Sequence, residues 1–478
     1  MGGRVLRKAI LCFFVFSRWF EQSLAAQVCR GDCNFDASVT VDEIVRIVNI
    51  ALGTAAVAFC PQADASCDGA VTVDEIIGSI DWALNGCAGS FIPRGQLVVE
   101  PSAFAGVVRQ IPDGPTVGGT PSMPAQYRID QPDEVEVRVF ASNLEVPWSL
   151  DFAPDGRLFV AERPGRIRTI VGGELDPEPW AILNVEQVNE SGLLGLAVHP
   201  QFPAEPWIYV CYTTRTGQRR SNRVARLRQT EGGGIDEEIL VDDIPGAQMH
   251  DGCRLKFGPD GMLYASTGDA AARPLAQDLD SLAGKILRLR PDGSIPDDNP
   301  FGPGSYVYSY GHRNPQGLAF RPSDGRLFST EHGPSAEFSG LRAHDEVNII
   351  APGANYGWPE AVGAPGLAAL ADPLLMYPDV AVPPSGATFY SSAVIPSWSG
   401  NFFFAVLGAR HLQRVVLDQC DRPAAIERLF VEVFGRLRDV IQGPDGYLYV
   451  TTSNRDGRAQ PRPDDDKILQ IVPRRIRD

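Results

Sequence analysis

The residues able to do chemistry in this 478-residue chain fall into two groups. The first group lies in the C-terminal half. His250 stands in Met249-His250-Asp251-Gly252, and Asp269 ends Ser266-Thr267-Gly268-Asp269. Arg313 and Asn314 follow Tyr310-Gly311-His312, and Arg436 and Arg438 follow Gly435. An imidazole that titrates near neutrality suits a general base, and a carboxylate beside it would orient it and stabilise its charged form. An arginine suits negative charge that develops during a reaction, and two arginine forks suit carboxylates. Taken singly, each feature also has a plain explanation. A histidine at a strand end is commonly a surface residue, Arg-Asn-Pro makes an ordinary turn, and Arg436 and Arg438 can simply be solvated.

The second group is near the N-terminus. Asp32, Asn34, Asp36, Thr40 and Glu43 occupy positions 1, 3, 5, 9 and 12 of a twelve-residue loop. Asp64, Ser66, Asp68, Thr72 and Glu75 repeat the pattern 32 residues later. This spacing suits Ca²⁺, which takes six to eight oxygens, and the final Glu can bind through both of its oxygens. Gly69 fills position 6 of the second loop, whereas the first has Ala37 there. Each loop runs into a helical pattern, 44–52 and 76–84, with apolar residues at i, i+3 and i+4. An acidic surface turn explains one such loop, but the tandem pair favours calcium.

The elements that must position the first group repeat. Six segments (152–160, 196–210, 257–264, 320–328, 389–404 and 442–450) each show an apolar strand, a Pro-Asp-Gly-like turn and a second apolar strand. Pro fixes φ at such a turn and Gly accepts the positive φ. A repeat of this length with several short strands predicts a mainly β fold, a six-bladed β-propeller, with an irregular β-sandwich as the alternative. The chemical residues sit just before or after the repeats, where loops from several blades would gather on one face.

Composition is that of a soluble globular chain, with 44% hydrophobic and 21% charged residues. The net charge of −16 disfavours nucleic acid as a partner. Arg4, Arg7 and Lys8 precede a short apolar run, and Ser23-Leu24-Ala25 forms a cleavage pattern. Residues 1–26 thus read as a signal peptide that leaves no integral span, with secretion or a periplasmic location. Five cysteines crowd the next sixty residues, Cys67 being the candidate free thiol. The expected organisation is a small α-helical calcium module at 27–88, a Pro-rich linker at 89–133 with a short strand near 96–100, and the propeller at 134–478.

The paired loops resemble dockerin-type repeats, which bind Ca²⁺ and dock onto a cohesin partner, although dockerin loops usually end in Asp. Residues 134–473 resemble the soluble PQQ-dependent glucose/sorbosone (aldose sugar) dehydrogenases. The stretches that carry this match are 250–261, 277–284, 295–300, 310–317, 332–334, 345–348, 355–359 and 436–446. The resemblance implies oxidation of an aldose C1 hydroxyl to a lactone, with hydride passing to pyrroloquinoline quinone (PQQ) and electrons then to an external acceptor. It implies that His250 is the base, that Asp269 orients it, and that Arg313 and Asn314 meet the quinone. Arg436 and Arg438 would take its carboxylates, and the carbonyls of Gly333 and Pro334 would hold Ca²⁺. Asp345 and Glu346 match an acidic pair near the family's calcium sites. Three departures stand out. Gly408 occupies the place of a Lys that contacts PQQ, with Arg410 as the candidate substitute. Glu190 replaces a common Gln, and residues 335–344 are inserted. A calcium-dependent lactonase on a similar scaffold and a non-catalytic binding propeller are the competing readings. The arginine pair argues against the first of these.

Overall fold

The computed structural model describes residues 29–33, 38–87, 95–100, 102, 108–111, 114–121, 123–230, 234–335, 337–338 and 341–474. The signal segment and the first-loop residues Asn34 and Asp36 lie outside the described residues.

The N-terminal module contains two helices, α1 (Val41–Ala51) and α2 (Val73–Asn85). Each starts at a threonine, Thr40 or Thr72, whose hydroxyl accepts the third helical N–H while the Glu at that position bonds back to the threonine N–H. Its core is small: Ile47, Ile50, Ala63, Val71 and the half-cystines Cys33 and Cys60. A core of that size is marginal alone, and the Cys29–Cys87 and Cys33–Cys60 disulfides close the module.

The rest of the described chain is mainly antiparallel sheet. Each of the six sequence repeats supplies the two innermost strands of one sheet. The inner strands are Pro147–Phe152, Leu193–Val198, Gly252–Phe257, Pro315–Phe320, Pro384–Phe389 and Leu437–Gln442. Each touches the next, and the last touches the first, so the six sheets close into a ring. The sixth sheet takes its outer strand, Val135–Ala141, from the start of the unit and joins it to Ile468–Pro473 from the end. Close approach of the inner strands needs small residues. A Cβ at Gly386 would collide with the Asp439 carboxylate.

Polar groups cross the ring's axis in pairs. Arg254 donates to Asp439 at 2.8 Å, to the Gln316 carbonyl at 2.8 Å, and lies 4.2 Å over the Trp148 ring. Asp439 also accepts the Leu150 N–H at 3.1 Å. The third, fourth, sixth and first sheets are thereby fastened together. Buried charges persist in this way only when paired and hydrogen-bonded.

Two expectations are corrected. Residues 89–133 are not a free spacer. Gln126–Ile129 runs parallel to Pro423–Leu429, Gln96–Val99 pairs with it, and the fifth sheet grows to six strands. Thr116–Val117 pairs with Ala361–Val362 beside the fourth sheet. The strand expected near 96–100 is present as Gln96–Val99, whereas proline spacing hid the others, because each is short and finds its partner far along the chain. Cys67 is not free either: it pairs with Cys420 in the 418–422 turn of the fifth sheet. Arg422 there bonds Asp64 at 3.1 Å, and Gln419 bonds the Ala65 carbonyl at 2.9 Å. Asp421 of the same turn pairs with Arg321 and Arg326 beside the fourth sheet's Pro-Ser-Asp-Gly turn. The module therefore sits at the ring's Pro-Asp-Gly end, away from His250.

Candidate active site

His250 precedes the inner strand of the third sheet, and Asp269 follows that sheet's second strand, Leu263–Thr267. The hairpin brings them together, with His250 Nδ1 2.8 Å from Asp269 Oδ1. Asp269 is fully buried, accepts the Ala271 N–H at 2.8 Å, and receives the Trp358 indole N–H on its other oxygen at 2.8 Å. These bonds hold the carboxylate as an acceptor and leave His250 Nδ1 as the donor, so Nε2 is the basic nitrogen. Backbone geometry serves the same end. His250, Cys253, Ala270 and Ala271 all have positive φ, a conformation that non-glycine residues rarely take and that gathers at functional sites. Gly268 lies so close to the His250 carbonyl that no Cβ would fit. The buried Cys211–Cys253 disulfide ties this turn to the second sheet.

Trp358 is positioned in turn by an amide pair. Asn355 donates to Gln277 at 2.9 Å, Gln277 donates back at 3.0 Å, and Gln277 also bonds the Trp358 carbonyl at 2.7 Å. Arg313 lies 5.5 Å over the Trp358 ring and donates to the His332 carbonyl at 3.1 Å and to Glu337 at 3.0 Å. Asn314 Oδ1 accepts the Gly252 N–H at 3.2 Å, while its buried Nδ2 has no partner among the described residues.

Across the ring, Arg436 pairs with Asp456 at 2.8 Å. Arg438 is 3.7 Å from that same carboxylate, donates to Gln316 at 2.9 Å, and leaves its buried Nε unpartnered among the described residues. Burial lowers Arg438 to about 9, and the neighbouring Arg436 and Arg163 add to this, against the pull of Asp456. It remains a cation at neutral pH. Arg163, also buried, has its Nε unpartnered too. Glu190 bonds Arg458 at 2.7 Å and accepts the His250 N–H at 3.4 Å. Burial raises the Glu190 carboxyl, but the Arg458 guanidinium outweighs it and holds it below the ordinary range.

The fourth sheet supplies a smaller hollow lined by Arg313, Glu331, Gly333, Pro334, Glu346 and Trp358, of about 20 Å³, room for roughly one water. Asp345 holds its rim by accepting the Gly333 N–H at 3.0 Å and the Val382 N–H at 2.7 Å. Burial pushes Asp345 up to about 6. Glu346 faces Glu331 across the strands and is raised well above the carboxylate range, first by burial and then by Glu331. His332 donates from Nε2 to the Pro384 carbonyl at 2.8 Å, and burial lowers it to about 3, so it is neutral.

Thus His250, Asp269, Arg313, Asn314, Glu190, Arg436 and Arg438 are linked around one mouth, directly or through Trp358, Gly252, Asp456 and Arg458. Arg410 is not among them: it pairs with Glu432 at 3.0 Å, and 41% of its side chain is exposed. Among the described residues no group of three His, Cys, Asp or Glu side chains lies close enough to hold a metal. In the module, Glu43 and Glu75 spend both oxygens on backbone N–H groups of their own loops, those of Cys33 and Thr40 and those of Ser66 and Thr72. Asp64 accepts the Asp68 and Gly69 N–H groups at 3.2 and 3.1 Å. Sequence reasoning missed Arg163, Trp358, Asp456, Arg458 and Glu337. A signal for two of them existed, because Arg163 and Asp456 follow the second strand of their sheets as Asp269 and His332 do.

The ring part of the chain is similar to known proteins. The family profile "Glucose / Sorbosone dehydrogenase" matches residues 144–461. Aldose sugar dehydrogenase of Escherichia coli is 32% identical over 72% of this chain and 94% of its own length. A crystal structure described as a glucose dehydrogenase-type oxidoreductase from Thermus thermophilus has 47% identity and a TM-score of 0.65, covering 71% of this chain and all of that one. PQQ-bound aldose sugar dehydrogenase from Streptomyces coelicolor has 36% identity and a TM-score of 0.63, covering 72% of this chain and 99% of that one. With two thirds of its length matched and its ring of sheets shared with these enzymes, this chain belongs to the glucose/sorbosone dehydrogenase family of oxidoreductases.

Proposed function

We propose that the protein is an exported dehydrogenase on a six-bladed β-propeller, dependent on PQQ and calcium, that oxidises the C1 hydroxyl of an aldose to a lactone and passes electrons to an external acceptor. The observation that carries this reading is the joining of two things at one mouth. One is a histidine whose Nδ1 is held by a buried carboxylate, which leaves Nε2 as the proton-accepting nitrogen. The other is a set of buried donors without acceptors among the described residues, Arg163 Nε, Arg438 Nε and Asn314 Nδ2. Buried donors are almost always satisfied, so three orphans around one mouth point to a ligand rich in acceptors. PQQ, with three carboxylates and two quinone oxygens, has that chemistry, and when bound it supplies the acceptor for hydride from the sugar.

The chain's own residues account for the rest. His250 Nε2 takes the C1 hydroxyl proton. Asp269 accepts from Nδ1, fixes the tautomer and stabilises the imidazolium that results. Trp358 keeps Asp269 from turning away. Arg313 offers positive charge beside the reacting centre, where low dielectric makes it effective. Arg436, Arg438, Arg163 and Asn314 would hold the carboxylates and ring oxygens. For Ca²⁺, the carbonyls of Gly333 and Pro334 are the hard oxygen ligands on offer, on a turn held by Asp345.

Export is supported by the signal-like N-terminus and by the pairing of all eight described cysteines, the pattern of an oxidising compartment. The module offers a surface for a protein partner of the cohesin type: Val41, Val45 and Leu52 on α1 and Val73, Ile77 and Leu84 on α2 are all exposed. The test is reduction of an artificial electron-accepting dye by the chain from residue 27 onward, stripped of metal and then given Ca²⁺ and PQQ, across a panel of aldoses. Reduction that needs both additions supports the reading. Absence of PQQ binding sinks it.

A further inference from the structure

Arg313 differs from Arg163 and Arg438 in that its donors are already taken. Its Nε bonds Glu337 at 3.0 Å, a terminal nitrogen bonds the same carboxylate, and that nitrogen also reaches the Ser335 hydroxyl at 3.3 Å. Glu337 does not come from an inner strand. It comes from the inserted segment between Leu327–Glu331 and Asp345–Ile350. Apolar contacts hold that segment in place. Phe338 meets the Trp358 ring edge-on at 5.7 Å and lies 4.6 Å under Arg273, and the fully buried Leu341 packs with Trp358 and Val117. The segment thus rests on the indole that orients Asp269, and it delivers a carboxylate to the arginine that the proposed function places beside the reacting centre.

We propose that Glu337 is an internal counter-ion: it stands at Arg313 in place of an anionic ligand's electron-rich oxygens and gives way to them when the ligand binds. This rests on the PQQ reading. The Arg313 side chain is only 3% exposed, so leaving it unpaired is costly. Glu337 removes that cost in the ligand-free protein. Its own side chain is 21% exposed, so the carboxylate can return to water when a second anion arrives. Asp439, which pairs with Arg254 in the channel, is 3% exposed and has no such exit. Exchange of this kind reduces apparent affinity by the fraction of molecules in which Arg313 is free.

The test is Glu337→Gln in the full chain, with PQQ and, separately, citrate, a tricarboxylate that lacks a quinone. Binding is read by quenching of tryptophan fluorescence, and stability by thermal unfolding without ligand. The free fraction in such two-state systems is commonly about 10% or less, so affinity should tighten about tenfold or more. The ligand-free variant should melt lower, because Arg313 loses its partner. Opposite movement of affinity and stability is the signature, since a purely structural glutamate would weaken both. Unchanged or weaker affinity for both ligands overturns the inference. Citrate binding that tightens in the variant, with no PQQ binding in any form, keeps the counter-ion and removes the PQQ reading. If Glu337→Gln does not fold, Glu337→Asp keeps the charge, shortens its reach and carries the same test with a smaller gain.

Discussion

Two buried arginines near Trp148 behave differently. Arg254 lies 4.2 Å over the indole and Arg438 lies 5.8 Å from it, and both bond Gln316. Arg254 has a carboxylate at 2.8 Å, whereas the nearest to Arg438 is at 3.7 Å and its Nε has no acceptor among the described residues. The carboxylate that satisfies Arg254 is Asp439, the chain neighbour of Arg438. The strand pairing is irregular there, with a register shift between Leu437 and Asp439, so the same strand places a spent charge and an unspent one close together. In the channel the charges fasten sheets together. At the mouth, in the proposed function, their bonding capacity is held back for a ligand, at a cost in stability.

The predictions test that division. His250→Ala belongs to the mouth. Turnover should fall by roughly 10²–10⁴-fold with PQQ binding mostly intact, and sugar oxidation at the parent rate would remove His250 as the base. Asp439→Ala belongs to the channel. It strands Arg254, and denaturant unfolding should show a loss of about 3–5 kcal/mol. Arg438→Met should do the reverse. Stability should hold or rise, while anion affinity falls by the ~1.5–3 kcal/mol of a charged hydrogen bond. A stability loss as large as that of Asp439→Ala would break the comparison. The smallest effect concerns Glu346. Its folded pKa is raised, so its favourable contribution is complete below the ordinary carboxylate value and is lost as pH rises through the raised one. Melting measured in chelator should therefore show Glu346→Gln gaining on the parent as pH increases, by about 1.4 kcal/mol for each pH unit that separates those two values. A gap that does not change with pH would mean that Glu346 is ionised throughout.

The module and the ring also differ in how far they could be read from sequence. The helices follow from Thr40-Val41-Asp42-Glu43 and Thr72-Val73-Asp74-Glu75, which are local capping signals. In the structure those glutamates complete the caps. The Pro-Asp-Gly turns located the inner strands of four of the six sheets, the first, third, fourth and sixth, because a turn that needs positive φ at glycine shows in four residues; the other two were found by their apolar strand pairs alone. Positive φ is found at Gly156, Gly261, Gly325 and Gly446.

By itself the sequence determined the mainly β character, the repeat, and the placing of His250, Asp269, Arg313, Asn314, Arg436 and Arg438 at repeat boundaries. All of these rest on short-range chemistry: turn conformations, strand alternation and side-chain type. Only the tertiary structure decided that Gln96–Val99 and Gln126–Ile129 extend the fifth sheet, that Cys67 meets Cys420, that Arg410 faces Glu432, and that Arg163, Trp358, Asp456, Arg458 and Glu337 join the site. Each of these depends on groups that are far apart in the chain and are brought together when the ring closes. Which donors are spent and which stay free is settled there, because it depends on distances between sheets that no local pattern encodes.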